Sequence, residues 1–134
     1  TFNKKFRMEI EGLIRQISED IAAGYRCTSE TEYSYLTGAV INEDQHLVDL
    51  AQNAVKKLYG EDGLAELEKM TGSEDFSYLM EKAPGVYGFI GARSPKIPGS
   101  EKSNHHECFT VDEAALQRGA AVAAQFAFDF LTEK

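Results

Sequence analysis

Residues 70–92 read MTGSEDFSYLMEKAPGVYGFIGA, and this stretch decides the fold. Its first half predicts a short helix, because Glu74 and Asp75 suit the positive end of a helix dipole and Pro84 stops the helix. Ser73 is placed to cap that helix. Its second half, residues 85–92, is almost continuously apolar, which is typical of a central strand buried on both faces. A helix followed by a buried strand predicts an α/β fold.

The segment before this stretch alternates between helix and strand patterns. Asn3 is a suitable N-cap, and apolar residues recur at helical spacing from Phe6 until Gly24, which predicts one amphipathic helix. Polar and apolar residues then alternate over 25–36, which predicts a strand with one face in water. Residues 1–38 are therefore expected to form one helix and one half-exposed strand.

Residues 39–134 predict two further helices around the buried strand. Asn42 is the expected cap of a helix that ends at Gly60. Thr110 and Glu113 form a capping box before the C-terminal helix, whose apolar residues from Leu116 to Leu131 are expected on one broad face. A short strand is expected near 66–70. So few strands in either part do not close a sheet, which indicates a fragment or an assembly.

Composition excludes some classes of function. Hydrophobic residues make up 43% and charged residues 27%, which is typical of a soluble globular protein. Asp and Glu number 22 against 14 Lys and Arg, a net charge of −8, which disfavours nucleic acids and anionic membranes as partners. No apolar run is long enough to span a membrane. Cys27 and Cys108 are expected as free thiols rather than a disulfide, and the protein as cytoplasmic.

Two adjacent histidines, His105 and His106, are candidate metal ligands. A catalytic zinc usually has three protein ligands and an open position for water. The third histidine, His46, lies far along the chain in a predicted first helical turn, so spacing alone favours a polar loop. A catalytic Cys108 is disfavoured, because no third group is evident to orient a Cys–His pair.

The segment Gly72–Asp75 carries a second candidate site. Its two carboxylates could act as acid and base or as ligands, but an ordinary helix start is favoured. The backbone N–H groups of Gly72, Ser73 and Glu74 could also hold a carboxylate.

Together with NHHECFTVDEAALQRGAAV at 104–122, the opening stretch resembles the C-terminal part of the M20 metallopeptidase family. The similar branch contains aminoacylases, hippurate hydrolases and indole-acetyl-amino-acid hydrolases. The shared pattern is Gly-Ser-Glu-Asp-Phe, an apolar strand, a loop, a His pair with Phe three residues after the second His, and an acidic helix start. The resemblance covers essentially the whole chain. It implies an α/β catalytic domain, whose C-terminal half is residues 39–134, preceded by part of a lid or dimerisation domain at residues 1–38.

The resemblance also implies roles for individual residues. His106 corresponds to a metal ligand of the family, with His105 as the weaker alternative. Gly72, Ser73 and Glu74 correspond to residues that border the substrate cleft, with Asp75 as support. Catalytic residues and the other ligands belong to family segments that this chain lacks. Glu107 and Cys108 depart from the Pro or Ser found in many relatives.

These correspondences lead to three hypotheses. The first is a C-terminal fragment of a metal-dependent amidohydrolase, inactive alone, whose complete enzyme uses Zn or Mn as one ion or two and cleaves N-acyl amino acids or peptides. The second is a non-catalytic module that self-associates, and a homodimer through the lid region is expected. The third is a small enzyme whose ligands come from two chains.

Overall fold

The structure is a computed structural model, and it describes residues 1–133. Its regular elements are helices: α1 (Lys4–Gly24), α2 (Gln45–Tyr59), α3 (Phe76–Met80), α4 (Ala114–Thr132) and one 3-10 turn at Glu61–Gly63. No residue within 1–133 lies in a strand. The strands expected at 25–36, 66–70 and 85–92 are therefore absent from the described chain, and the α/β fold is not confirmed.

Local sequence signals explain both ends of α1. The side chain of Asn3 accepts a hydrogen bond from the Phe6 N–H at 2.9 Å, which confirms it as the N-cap. The helix ends at Gly24, as the sequence predicts, and the Tyr25 N–H donates to the Ala22 carbonyl at 3.0 Å. No side chain of α1 is fully buried, and most of its apolar stripe is exposed within the described residues, as Leu13, Ile17 and Ile21 show.

Residues 25–36 follow α1 without forming a strand. Arg15 Nη1 donates to the carbonyl of Thr31 at 3.0 Å, and Arg7 Nη2 donates to that of Leu36 at 2.6 Å. The Tyr35 hydroxyl donates to the Met8 carbonyl at 3.4 Å. Backbone carbonyls that a neighbouring strand would use are thus bonded to arginine side chains of α1. A strand needs a partner for its backbone groups, and these residues have a helix beside them instead.

The expected cap of α2 is wrong by two residues. Asp44 is the cap, and its carboxylate accepts from the Leu47 N–H at 3.2 Å. Asn42 bonds instead to the backbone of Tyr87: its Nδ2 donates to the carbonyl at 2.9 Å, and its Oδ1 accepts from the N–H at 2.8 Å. The other end is confirmed, because the helix stops at Gly60 with a φ of +76°.

Residues 85–92 are not the doubly buried strand that the sequence predicts. The Asn42 amide bonds to Tyr87 as a neighbouring strand would, but at one position only. Phe89 and Ile90 are 58% and 49% exposed. The segment is held at its end, where the Ala92 carbonyl accepts from the Asp112 N–H at 2.8 Å. Ile90 lies against Gly119 of α4, so the described residues cover this apolar run in part.

Helices α2 and α4 pack together and form the main core. Its buried apolar residues are Leu47, Leu50 and Ala54 of α2 and Ala115 of α4. Next to this contact, Lys57 Nζ lies 2.7 Å from Asp129 Oδ1 and links the two helices. The start of α4 corrects a prediction: the helix begins at Ala114, and the expected capping box of Thr110 and Glu113 does not form. Instead, Asp112 Oδ1 accepts a hydrogen bond from the Ala114 N–H at 3.0 Å.

The chain divides into two compact units. The first combines Thr1–Ile41 with Glu68–Pro84, and the second combines Asn42–Leu67 with the chain from Gly85 onward. The division into a partial lid at residues 1–38 and half of a catalytic domain at residues 39–134 stays a prediction. Within the described part, no helix is both long and apolar enough to cross a membrane.

Candidate functional site

The segment before His106 is a loop built around one buried serine. Ser100 is buried, and its hydroxyl lies 2.8 Å from the carbonyls of both Ser94 and Ile97. It also accepts a hydrogen bond from the Ser94 N–H at 3.0 Å. One side chain thereby satisfies several backbone groups of the same turn, which keeps this loop compact without a helix or strand.

Gly99 brings this turn against the segment that carries His106. Its φ is +92°, and a Cβ at this position would lie only 2.5 Å from the Cys108 carbonyl oxygen. Its own carbonyl accepts from the Thr110 N–H at 3.4 Å. Only glycine fits such a close backbone approach in the left-handed region. The position of Cys108 therefore depends on Gly99.

A neighbouring carboxylate reinforces the turn. Glu101 Oε2 accepts a hydrogen bond from the Gly99 N–H at 2.9 Å. Its own backbone N–H, followed by that of Gly99, holds the pKa of the Glu101 carboxyl below its usual value. Hydrogen bonds to the charged form favour that form, so Glu101 is an ionised acceptor at neutral pH.

His106 is exposed, and its ring already has a hydrogen-bond partner. Its backbone N–H donates to the Ser103 carbonyl at 3.2 Å, and its carbonyl accepts from the Phe109 N–H at 2.9 Å. The Cys108 N–H donates to ring Nδ1 at 3.0 Å. A neutral imidazole that accepts at Nδ1 carries its proton on Nε2. The preceding His105 is also exposed and has a φ of +69°.

These donors do not form a metal site in this arrangement. The described residues contain no group of three or more His, Cys, Asp or Glu side chains that could hold an ion. His106 offers a single imidazole, and its Nδ1 lone pair is engaged by Cys108. A structural or catalytic zinc needs about three protein ligands. His106 could therefore give one ligand to a larger site, and only after its bond to Cys108 opens.

The third histidine is not near this loop in the sequence and has another partner. His46 lies in the first turn of α2, as predicted, and its Nε2 is 2.9 Å from Glu133 Oε2.

The Gly72–Asp75 segment belongs to the first compact unit. Gly72 has open space where a Cβ would stand, and all four residues are exposed. Helix α3 begins only at Phe76, after Asp75, so Ser73 is not its cap. The backbone carbonyls of Glu74 and Asp75 accept the Ser77 and Tyr78 N–H groups, both at 3.0 Å. No metal or ligand contact tests the predicted cleft role of these residues.

Ser77 fixes the turn that follows this segment. It is buried, and its hydroxyl accepts from the Gly38 N–H at 3.0 Å. The sequence does not single out Ser77 or Gly99, and it predicts Asn42 as a helix cap rather than as a partner of Tyr87. Each of the three acts through a partner distant in the chain or through backbone geometry. Only Gly99 has a local signal, since it follows Pro98 in a loop that has the composition of a turn.

Comparison with known proteins identifies the family. The sequence model of peptidase family M20/M25/M40 matches residues 7–129. An uncharacterized hydrolase of Sinorhizobium fredii is 30% identical over 98% of this chain, which spans 32% of that protein. The thermostable carboxypeptidase 2 of Saccharolobus solfataricus is 30% identical over 97% of the chain, and the chain spans 32% of it.

A third relative is a deacetylase. The N-acetylcysteine deacetylase of Bacillus subtilis is 32% identical over 94% of the chain, which spans 30% of it. The chain thus spans about a third of the length of these curated relatives. No solved structure matches the chain. The family model covers most of the sequence, including the His pair and the Gly72–Asp75 segment, and the chain belongs to the peptidase family M20/M25/M40.

Proposed function

We propose that this chain is the C-terminal part of a divalent-metal-dependent amidohydrolase that hydrolyses the amide bond of N-acyl amino acids or related peptides. The observation that carries the proposal is the family match over residues 7–129. This range includes His106, whose ring accepts a hydrogen bond from the Cys108 N–H. Relatives named as a carboxypeptidase and an N-acetylcysteine deacetylase support amide hydrolysis as the reaction class.

Within that enzyme, His106 supplies one imidazole ligand, and Gly72–Asp75 borders the substrate cleft. When bound, a Zn or Mn ion held in part by His106 would supply Lewis-acid chemistry toward the scissile amide and its attacking water. Residues 39–134 form half of an α/β catalytic domain, and residues 1–38 form part of its lid. Since the described residues build no metal cluster, the chain alone is expected to be inactive. The complete enzyme is expected to be cytoplasmic.

A chimera tests this proposal. The N-terminal two thirds of the Bacillus subtilis deacetylase is joined to this chain, and hydrolysis of N-acetyl amino acids is measured with Zn²⁺ or Mn²⁺. We expect no turnover by the chain alone, turnover by the chimera, and loss of both turnover and bound metal in its His106→Ala variant. His105→Ala is the matched control and is expected to retain both. Full activity of the His106→Ala chimera would contradict the ligand assignment, and turnover by the chain alone would contradict its incompleteness.

One observation favours a second candidate, a non-catalytic module that self-associates through residues 1–38. The large apolar side chains of α1 are exposed, and Ile17 and Ile21 are 56% and 59% accessible. Several large apolar side chains exposed on one helix are typical of a protein–protein contact. A homodimer through this helix is compatible with the amidohydrolase proposal as well as with a module that has lost catalysis.

A further inference from the structure

Metal binding and the hydrogen bond to Cys108 exclude each other at His106. The Cys108 N–H lies 3.0 Å from Nδ1, the nitrogen that carries the lone pair of the neutral ring. A cation that binds Nδ1 must displace this N–H directly. A cation that binds Nε2 releases the Nε2 proton to solvent, and Nδ1 must then take up a proton. That Nδ1–H would face the Cys108 N–H, so two donors would oppose each other.

The donor in this bond is not free to move away. Gly99 lies against the Cys108 carbonyl so closely that a Cβ there would be 2.5 Å from the oxygen. Two backbone bonds flank the contact: Thr110 N–H to the Gly99 carbonyl at 3.4 Å, and Phe109 N–H to the His106 carbonyl at 2.9 Å. The Cys108–Phe109 peptide is therefore held against the Gly99 turn. This limits the movement of the adjacent Glu107–Cys108 peptide, whose N–H bonds to the ring of His106.

We infer that the Cys108 backbone amide competes with a divalent cation for the His106 imidazole, so that this loop is latched in a metal-free arrangement. The latch is the Cys108 N–H to His106 Nδ1 hydrogen bond, held in place by Gly99. The inference rests on the proposed role of His106 as a ligand. It adds that metal loading requires a rearrangement of residues 106–108. A hydrogen bond of ordinary net strength then lowers the affinity of His106 for a cation about fivefold.

Zinc titration of the 134-residue chain, followed by NMR of its histidine rings, tests the latch. The variants are Cys108→Ala, which keeps the backbone N–H, and Cys108→Pro, which removes it. Because both lack the thiol, a difference between them reports the amide rather than a lost sulfur ligand. The ring ¹⁵N shifts of His106 without metal are recorded as a second readout, with His46 as the internal reference.

We expect Zn²⁺ to bind His106 about fivefold more tightly in Cys108→Pro than in Cys108→Ala. Without metal, the neutral His106 ring of Cys108→Ala should show an unprotonated Nδ1 and a protonated Nε2. In Cys108→Pro, the ¹⁵N shifts of the two ring nitrogens should be averaged over both neutral tautomers. Gly99→Ala, which displaces the Cys108 carbonyl but keeps the thiol, should also tighten zinc binding. Equal or weaker binding in Cys108→Pro would overturn the inference.

Two further outcomes separate this inference from the proposed function. Averaged ring shifts in the unaltered chain would overturn the latch without any variant, even if Cys108→Pro does not fold. That result leaves His106 as a possible ligand and the proposed function intact. If His106 responds to Zn²⁺ no more than His46 in every variant, the competition is overturned, whatever the ring shifts are. The ligand assignment does not fall with it, because the described part of the chain lacks the other ligands; the His106→Ala chimera decides that assignment.

Discussion

Gly99 is the residue whose substitution the backbone should tolerate least. Gly60 and Gly99 both have a positive φ, but only Gly99 has backbone where a Cβ would stand. The backbone at Gly60, with φ +76° and ψ −179°, lies in a region that is essentially restricted to glycine, so an alanine there is strained by about 1–3 kcal/mol. An alanine at Gly99 is strained by its φ of +92° as well. Gly99→Ala must also move the Cys108 carbonyl. We therefore expect its loss in the free energy of unfolding to exceed that of Gly60→Ala by at least about 1 kcal/mol in urea titrations. Equal losses would show that the contact between Gly99 and Cys108 is dispensable.

The Lys57–Asp129 pair gives stability that depends on pH. The hydrogen bond from Lys57 holds the pKa of the Asp129 carboxyl below its usual value, and Gln125 adds a second hydrogen bond. A depressed pKa adds stability above the unfolded value of about 3.9, and this stability is lost as pH falls through the folded pKa. The Tm of the unaltered chain should therefore exceed that of Asp129→Asn by the largest amount at neutral pH. This difference in Tm should decrease as the pH is lowered into the acid range.

The matched control for this pair is Asp49→Asn. Asp49 is an exposed carboxylate on α2, and within residues 1–133 the hydrogen bond that it accepts comes from its own helix, from Gln45 at 2.7 Å. We expect a smaller Tm gap for it at neutral pH, measured by circular dichroism. A gap for Asp129→Asn that does not narrow between about pH 6 and pH 2 would contradict the assigned ion pair.

Residues of the candidate site differ in how far the sequence predicts them. His106 and Gly72–Asp75 can be named because their types and order resemble a family pattern, whereas spacing alone favours ordinary loop and helix-start roles. The bond from Cys108 to His106 cannot be predicted, because it depends on ring orientation. Nor can the role of Gly99, which depends on how two turns of one loop approach each other.

At the scale of elements, helices were predictable and strands were not. The bounds of α1 follow from Asn3 and Gly24, which act within one turn of the helix. A strand depends on partners elsewhere, and the apolar run at residues 85–92 finds one polar side chain in place of a sheet. The apolar pattern indicates that residues 85–92 are suited to burial on both faces. It does not indicate which strands, if any, would lie beside them.

Helix α4 has two apolar faces, which complicates prediction of its packing. The sequence predicts one broad face that includes Leu116, Phe130 and Leu131. In the structure these residues are exposed, while Ala115 and Asp129 are buried. A helix that is apolar around most of its surface is typical of a fully buried position. The α2 contact covers one face, so the other remains available to a further part of an M20 protein.

The contact between α2 and α4 predicts unequal costs for two similar substitutions in α2. Leu50 is buried in this contact, and Leu58 of the same helix is 39% exposed. Leu50→Ala should lower the free energy of unfolding by about 2–3 kcal/mol, because it removes buried methyl groups and leaves a cavity. Leu58→Ala should cost less than about 1 kcal/mol. Similar losses in both variants, measured by urea denaturation, would mean that α4 does not pack on α2 as described.

At the scale of the whole molecule, the main feature is the amount of uncovered apolar surface. Large apolar side chains are exposed on both long terminal helices, among them Leu13, Ile17 and Ile21 on α1 and Phe128 and Leu131 on α4. Monomeric soluble proteins rarely leave such stripes in water. The chain also spans about a third of its curated relatives. Either the remainder of such a protein or a second copy would reduce this exposure.

The apolar face of α1 and the net charge of −8 make opposite predictions for self-association. Burial of the face favours a dimer, while repulsion between like-charged copies opposes it and is screened by salt. We expect concentration-dependent dimers in sedimentation velocity that strengthen when salt is raised from about 0.05 M to 0.5 M. The double variant Ile17→Gln, Ile21→Gln should then sediment as a monomer. Glu19→Gln, on the polar side of the same helix, should dimerise at least as well as the unaltered chain, because it removes a negative charge. A chain that stays monomeric at every concentration and salt would contradict the homodimer and leave the remainder of an M20 protein as the partner for this face.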